Sequence, residues 1–226
     1  MSPFFRAPSM QIRRSAAWPR LALLALVLAA MAPMTAAHAA SPPEDFIQTN
    51  VQHGLTILND GGSKEDKRTQ FRTFLLGLTD LKRIAVYTLG PAKNSTSPSD
   101  LATFEDAFRE YAFAVYESEF TQYSGQTLKV TGSVQRAPGD YLVTTVLIDP
   151  HAQSGQQPIQ VDFRVFGQPG HFTVADITVV GLDLAITEQD DFQSFLAQHN
   201  NDVKALTENL KQRAANVRNG GLLSGK

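Results

Sequence analysis

The stretch that decides the fold runs from Ser97 to Gln135, SPSDLATFEDAFREYAFAVYESEFTQYSGQTLKVTGSVQ. Ser97 is placed as an N-cap, Pro98 suits the first helical turn, and Asp100 puts a carboxylate where backbone N–H groups lack partners. From there Leu101, Phe104, Phe108, Ala112, Val115 and Phe120 recur at threes and fours, with Tyr111 and Tyr116 on the shoulders. Beyond Gly125 the period drops to two. Leu128, Val130 and Val134 alternate with Lys129, Thr131, Ser133 and Gln135, which is the pattern of a strand with one buried face. A long aromatic helix therefore runs into a sheet that it is expected to cover.

On the N-terminal side of this stretch, Ser41 with Glu44, Ser63 with Asp66, and Asp80 each read as helix starts. The helices they open carry apolar stripes: Phe46, Ile47, Val51, Leu55 and Leu58; then Phe71, Phe74, Leu75 and Leu78; then Leu81, Ile84, Ala85 and Tyr87. On its C-terminal side, four strand-like runs cover residues 127–135, 141–149, 158–166 and 171–180. Pro138-Gly139 and Pro169-Gly170 supply tight turns, so neighbouring strands are antiparallel. In the third run Val161, Phe163 and Val165 share a face; in the fourth Phe172 and Val174 do, but past Asp176 the parity moves to Ile177 and Val179, predicting a bulge. Residues 182–186 read as a connector, Thr187 as the cap of a helix with Phe192, Phe195 and Leu196, and Asn201 as the cap of a last helix. The expected fold is α+β: a curved four-stranded antiparallel sheet wrapped by helices, a single domain over residues 41–217, with a disordered tail over 218–226.

The first 40 residues are set apart from that fold. Arg6, Arg13, Arg14 and Arg20 precede the apolar run 21–30, and Ala37, His38 and Ala39 form a small-residue cleavage site. This is the layout of a cleavable secretory signal; the apolar run is too short for the roughly 20 residues of a membrane span. Without residues 1–40 the chain keeps 16 of its 20 Lys and Arg and all 22 Asp and Glu, a formal charge of −6. Nucleic acid is an unsuitable partner for such a surface. A chain of about 185 residues buries some 70% of its unfolded surface without help from disulfides, and the sequence has no cysteine.

Most chemistry is absent from the pattern. His53, His151, His171 and His199 lie in four separate elements without metal-ligand spacing, and no P-loop, G-x-G-x-x-G or G-x-S-x-G occurs. Neither a metal nor another cofactor is called for. Asp162 and Arg164 lie on the solvated face of the third strand and read as a surface pair; Asp176 reads as a bulge residue bonded to a turn. What remains is a surplus of large apolar side chains. An apolar stripe looks the same whether it fills a core or lines a cavity, and a filled core is the more ordinary reading.

Five ordered blocks resemble one family. Ile84-Ala-Val-Tyr-Thr-Leu-Gly90, the helix end from Tyr116 to Tyr123-Ser124-Gly125, Pro158-Ile-Gln-Val-Asp-Phe-Arg164, the strand Phe172, Val174, Asp176, Ile177, Val179, and Gly181-Leu-Asp-Leu184 are similar to the periplasmic lipid-binding proteins of the MlaC type, the toluene-tolerance auxiliary components of an ABC transporter. The likeness spans residues 46–210. The segment with Thr187, Glu188, Gln189, Asp191 and Phe192 departs from the family pattern and looks closer to its hopanoid-associated branch. The resemblance implies a periplasmic, non-enzymatic carrier holding phospholipid or hopanoid tails in an apolar pocket. Its implied partners are an inner-membrane lipid transporter with a substrate-receiving ring or periplasmic domain, and an outer-membrane lipoprotein complex.

On that reading, strand parity sets Val161, Phe163, Phe172 and Val174 as one pocket wall, with Phe108, Tyr111, Val115 and Phe192 opposite. Ile84, Tyr87, Phe104, Val146 and Ile148 complete the expected lipid-contacting set. Two other classes compete: a small α+β enzyme using Asp176 or Asp162 as acid or base, and a lipid-free adaptor of a transporter.

Overall fold

The computed structural model describes residues 40–119, 123–153 and 155–220, with the side chain of Glu119 left aside. The expected signal sequence, like Phe120 and the tail from 221, lies outside the described residues. Six α-helices precede and follow a sheet in the order expected: α1 (Pro42–Asn59), α2 (Lys64–Leu78), α3 (Leu81–Thr88), a 3-10 turn over Gly90–Asn94, α4 (Pro98–Glu119), then after the strands α5 (Leu184–Gln198) and α6 (Val203–Arg218).

The caps are those the sequence carries. The Glu44 carboxylate accepts from the Ser41 backbone N–H at 3.2 Å, the Asp66 N–H donates to the Ser63 hydroxyl at 3.1 Å, Arg83 N–H to Asp80 at 3.0 Å, and Asp100 N–H to Ser97 at 3.1 Å. Each satisfies a donor that the first helical turn leaves orphaned. Two later starts differ from expectation. Asp183, not Thr187, caps α5 by accepting from Ile186 N–H at 2.8 Å, and Asp202, not Asn201, caps α6.

The sheet is an antiparallel meander, β1 (Thr127–Ala137), β2 (Asp140–Ile148), β3 (Gln160–Gln168), β4 (His171–Val179) and β5 (Leu182–Asp183), in that spatial order. It has five strands, not four: residues 182–183, expected as a connector, pair with Val179 and Thr178. A two-residue turn makes this possible, with Val180 at φ 50° and Gly181 at φ 80°. A β-branched residue rarely takes that conformation, so the turn stores strain to fold the edge back. Gly139, at φ 73° behind Pro138, makes the β1–β2 turn of the type that needs a glycine at its third position.

The register skips a residue at three places, one of them Arg136 beside the β1–β2 turn. At Ala175 the register of β3 with β4 skips a residue, so Val165 pairs with Val174 and Phe163 with Ile177; both pairs face inward. The predicted bulge is thus one residue before Asp176. In β1 the skip at Thr131 was not foreseen. It turns Ser133 inward, where its hydroxyl donates to Glu44 at 2.6 Å, and leaves Val134 exposed on the outer face. Arg164 pairs with Asp140 of β2, through two bonds of 3.2 and 2.9 Å, and not with Asp162.

The apolar side chains form two separate clusters. A helical core gathers Leu81, Phe104, Phe113, Phe192, Leu196, Leu206 and Leu210 from α3 to α6. A sheet core gathers Val143, Phe163, Val165 and Val174 beneath Ile47 of α1. The helix lying on β1 and β2 is α1, whereas α4 packs mainly on α6 and α3. The expectation that α4 covers the sheet directly is therefore not met. Thr79, at the end of α2, ties the two halves: its buried hydroxyl donates to the Val174 carbonyl at 2.6 Å, beside a single parallel bridge.

Candidate functional site

A cavity of about 590 Å³ lies between the two clusters. That equals the liquid volume of about 20 water molecules and falls within the range of small-molecule sites. Ile47, Val51, Leu55 and Leu58 of α1 form one side. Phe71, Phe74 and Leu75 of α2, Ile84 of α3, and Phe108, Tyr111 and Val115 of α4 form the other. The sheet contributes Leu128, Leu147, Phe163, Val174 and Ile177, and the start of α5 adds Leu184, Ala185, Thr187 and Glu188. The aromatic wall is braced from behind: Phe71 lies 6.0 Å from Phe74 and 6.4 Å from Tyr116. Phe108 rests edge-on against Phe192 at 6.2 Å.

Of the residues expected from the sequence, Ile84, Phe108, Tyr111, Val115, Phe163 and Val174 line this cavity. Phe104 and Phe192 are fully buried in the helical core, edge-on to each other at 6.0 Å. Phe172 lies in the sheet core beside Phe46 and Tyr141, at 5.7 and 5.8 Å, and Val161 packs in the same cluster. Val146 and Ile148 stand on the outer face of β2, because Val143, Thr145 and Leu147 take the inner one. Tyr87 is exposed. The α1 and α2 side chains were outside the expected set, although their apolar stripes are plain in the sequence; nothing in a stripe says that it faces a void.

The polar groups of the wall are unevenly placed. Asp176 accepts from the backbone N–H of Ala185 at 3.2 Å, and its carboxyl is pushed up to about 6, first by burial and then by neighbouring Asp183. Burial also raises Glu188, reinforced by Asp191 and opposed by Arg213. Tyr111 is pushed up to about 12, chiefly by burial and then by the Glu188 charge. Tyr116 is raised by burial and by Asp176 and Glu188. A second, smaller hollow of about 420 Å³ over Leu76, Asp80, Lys82 and Glu105 is an open, half-polar surface crossed by the 3.0 Å Lys82–Glu105 ion pair. Among the described residues, no cluster of His, Cys, Asp or Glu could hold a metal ion, and no helix is long and apolar enough to cross a membrane.

A void and a filled core respond oppositely to added volume. Val115→Trp, whose indole has cavity space to enter, is expected to shift the unfolding midpoint of the ligand-free protein little. Val165→Trp, in the close-packed sheet core, is expected to cost about 1–3 kcal/mol or more. Denaturant titration of both variants checks this; equal losses would contradict the cavity.

The raised carboxyl of Asp176 gives a pH signature. Its folded-state value, about 6, exceeds the unfolded one near 3.9. The folded protein therefore holds this proton more tightly, and the contribution is fully present below about pH 4 and is lost as pH rises through 6. Asp176→Asn keeps the acceptor for Ala185 but removes the titration. Relative to wild type, the variant is expected to gain stability on going from pH 4 to pH 7.5. A constant difference across that range would show that the shift is absent.

No curated protein matches the chain. Among solved structures, the phospholipid-binding protein from Ralstonia solanacearum, in complex with a phospholipid, superposes with a TM-score of 0.66 at 22% identity, covering 79% of this chain and 99% of that one. At that identity the match shows the fold. The profile of the family described as MlaC protein matches residues 48–212, which is most of the chain and takes in the cavity lining from Asn50 to Glu188. The chain belongs to the MlaC family.

Proposed function

We propose that this protein is a periplasmic carrier that takes the tails of a phospholipid, or of a hopanoid, into the cavity between its two cores and moves the lipid between membrane complexes. The observation carrying this reading is the cavity itself, about 590 Å³ with a wall that is almost entirely apolar. An empty apolar void forfeits the dispersion contacts of every side chain around it. A lipid-free adaptor would gain stability by closing it. Family membership and the fold shared with a phospholipid-binding protein point the same way.

The energetics suit a shuttle. Each buried methylene is worth about 0.8 kcal/mol against water, so a seated lipid does not escape into solvent. The bilayer offers nearly the same gain, so exchange between protein and membrane lies close to balance and direction is set by docking partners. On the family reading these are an inner-membrane transporter and an outer-membrane lipoprotein complex. The carrier reading asks for no catalytic group: Asp176 is engaged with Ala185, and Asp162 accepts from Gln160 at 2.8 Å.

Native mass spectrometry of the protein, exported in a Gram-negative host and purified without detergent, provides the test. A lipid-mass adduct is expected on the wild type, and a much smaller one on Val115→Trp. An unliganded wild type, or equal loading of the two, would overturn the reading.

A further inference from the structure

The distribution of polar groups around the cavity specifies the ligand further; this step rests on reading the cavity as a lipid site. Among the described residues, the only charged side chains on the wall are Asp176 and Glu188, and no Lys, Arg or His joins them. They stand on the same side. The Asp176 carboxylate is bonded to Ala185 in the first turn of α5, and Glu188 follows three residues later on that helix. Tyr111 and Tyr116 of α4 line the same cavity, and the Tyr111 hydroxyl stands beside the Glu188 carboxyl.

Two hydrogen-bonding positions in this corner are unused. Glu188 Oε1 is buried without a hydrogen bond of good geometry, the Tyr111 hydroxyl standing beside the same carboxyl. The Tyr116 ring lies deep in the molecule, yet it keeps accessible surface because that surface faces the cavity. Its hydroxyl makes no hydrogen bond with any described residue, the ring's contact being with Phe71. A buried polar atom such as Glu188 Oε1 ordinarily finds a partner, and the Tyr116 hydroxyl is open to one from the cavity. A ligand group that both accepts and donates would satisfy the two together.

A phosphate does not fit that description. It would bring negative charge against two carboxyl groups with no cation on the wall. Two guanidiniums lie off the wall, each already engaged by a carboxylate: Arg213 of α6, beside Tyr111, with Asp191 at 2.6 Å, and Arg164 of β3, paired across the strands with Asp176, with Asp140 at 2.9 Å. A hydroxyl does fit, accepting from the Tyr116 O–H while donating to Glu188 Oε1. We propose that this corner holds a hydroxyl on the buried part of the ligand, so that the cavity selects neutral hydroxylated lipids and admits a phosphate-bearing lipid only with its phosphate held away from Asp176 and Glu188.

Displacement of the fluorescent probe N-phenyl-1-naphthylamine from delipidated protein at pH 7.5, by dodecan-1-ol and by dodecyl phosphate, tests this with matched chains. The alcohol is expected to displace the probe at about tenfold lower concentration, a difference of about 1.4 kcal/mol. Tyr116→Phe should weaken the alcohol several-fold and leave the phosphate unchanged. Glu188→Gln should tighten the phosphate several-fold and hold the alcohol within about twofold, because the amide still accepts. Equal displacement by both ligands, or a preference that neither substitution alters, overturns the hydroxyl corner while leaving the lipid cavity standing. Failure of the probe and both ligands to bind overturns the cavity reading and this inference with it.

Discussion

Everything in this structure depends on its apolar side chains forming two cores and not one. The sheet buries its inner face against α1, centred on Ile47, Val143 and Val165, while α3 to α6 bury theirs against each other around Phe104, Phe192 and Leu206. α4 therefore gains its stability from α6 and α3 and has no need to close on the sheet, and the space between stays open. The connection that fixes the spacing is polar: Thr79 reaches from α2 to the Val174 carbonyl, inside the protein, at 2.6 Å. A second polar anchor, Glu44 with Ser133 at 2.6 Å, holds the start of α1 on β1. Buried bonds of this kind specify one arrangement, because any shift leaves a donor or acceptor unpaired.

The bulges follow from the same constraint. A flat sheet would present one continuous face to the helices; the skips at Thr131 and Ala175 bend it. Phe163, Val174 and Ile177 then sit on the concave side where the cavity opens, while Phe172 is carried to the far end against Phe46 and Tyr141. The strained turn at Val180 adds β5, and β5 places Asp183 to cap α5. Through that cap the sheet edge sets where Ala185 and Glu188 meet the wall. Asp176, on β4, and Ala185, at the start of α5, are bonded because only four residues of strained turn and short strand separate Val179 from the first residue of α5.

The architecture was legible in the sequence because its signals are local. Ser41, Ser63, Asp80 and Ser97 cap the helices they announce, and Pro138-Gly139 and Pro169-Gly170 turn the strands where their chemistry requires. The fifth strand was missed because a two-residue pairing has no periodicity to detect, although Asp183 ahead of an apolar turn was a usable cap signal. Ser133 was assigned to the outer face because a bulge reverses parity without changing composition. The site was only partly legible. Phe104 and Phe108 belong to one helical stripe, yet Phe104 is sealed in the helical core and Phe108 reaches the cavity. Which of two such residues meets a void depends on how far the facing element stands off, and that distance is a tertiary quantity with no trace in a helical repeat.

A crystal structure of the protein purified without detergent from a Gram-negative host tests the two-core arrangement most directly. Elongated electron density running between Val115 and Phe163, with α4 still apart from the sheet, is the predicted result. A structure in which α4 has closed onto β3 and β4, with the Val115 and Phe163 side chains in contact and no space between them, would contradict it.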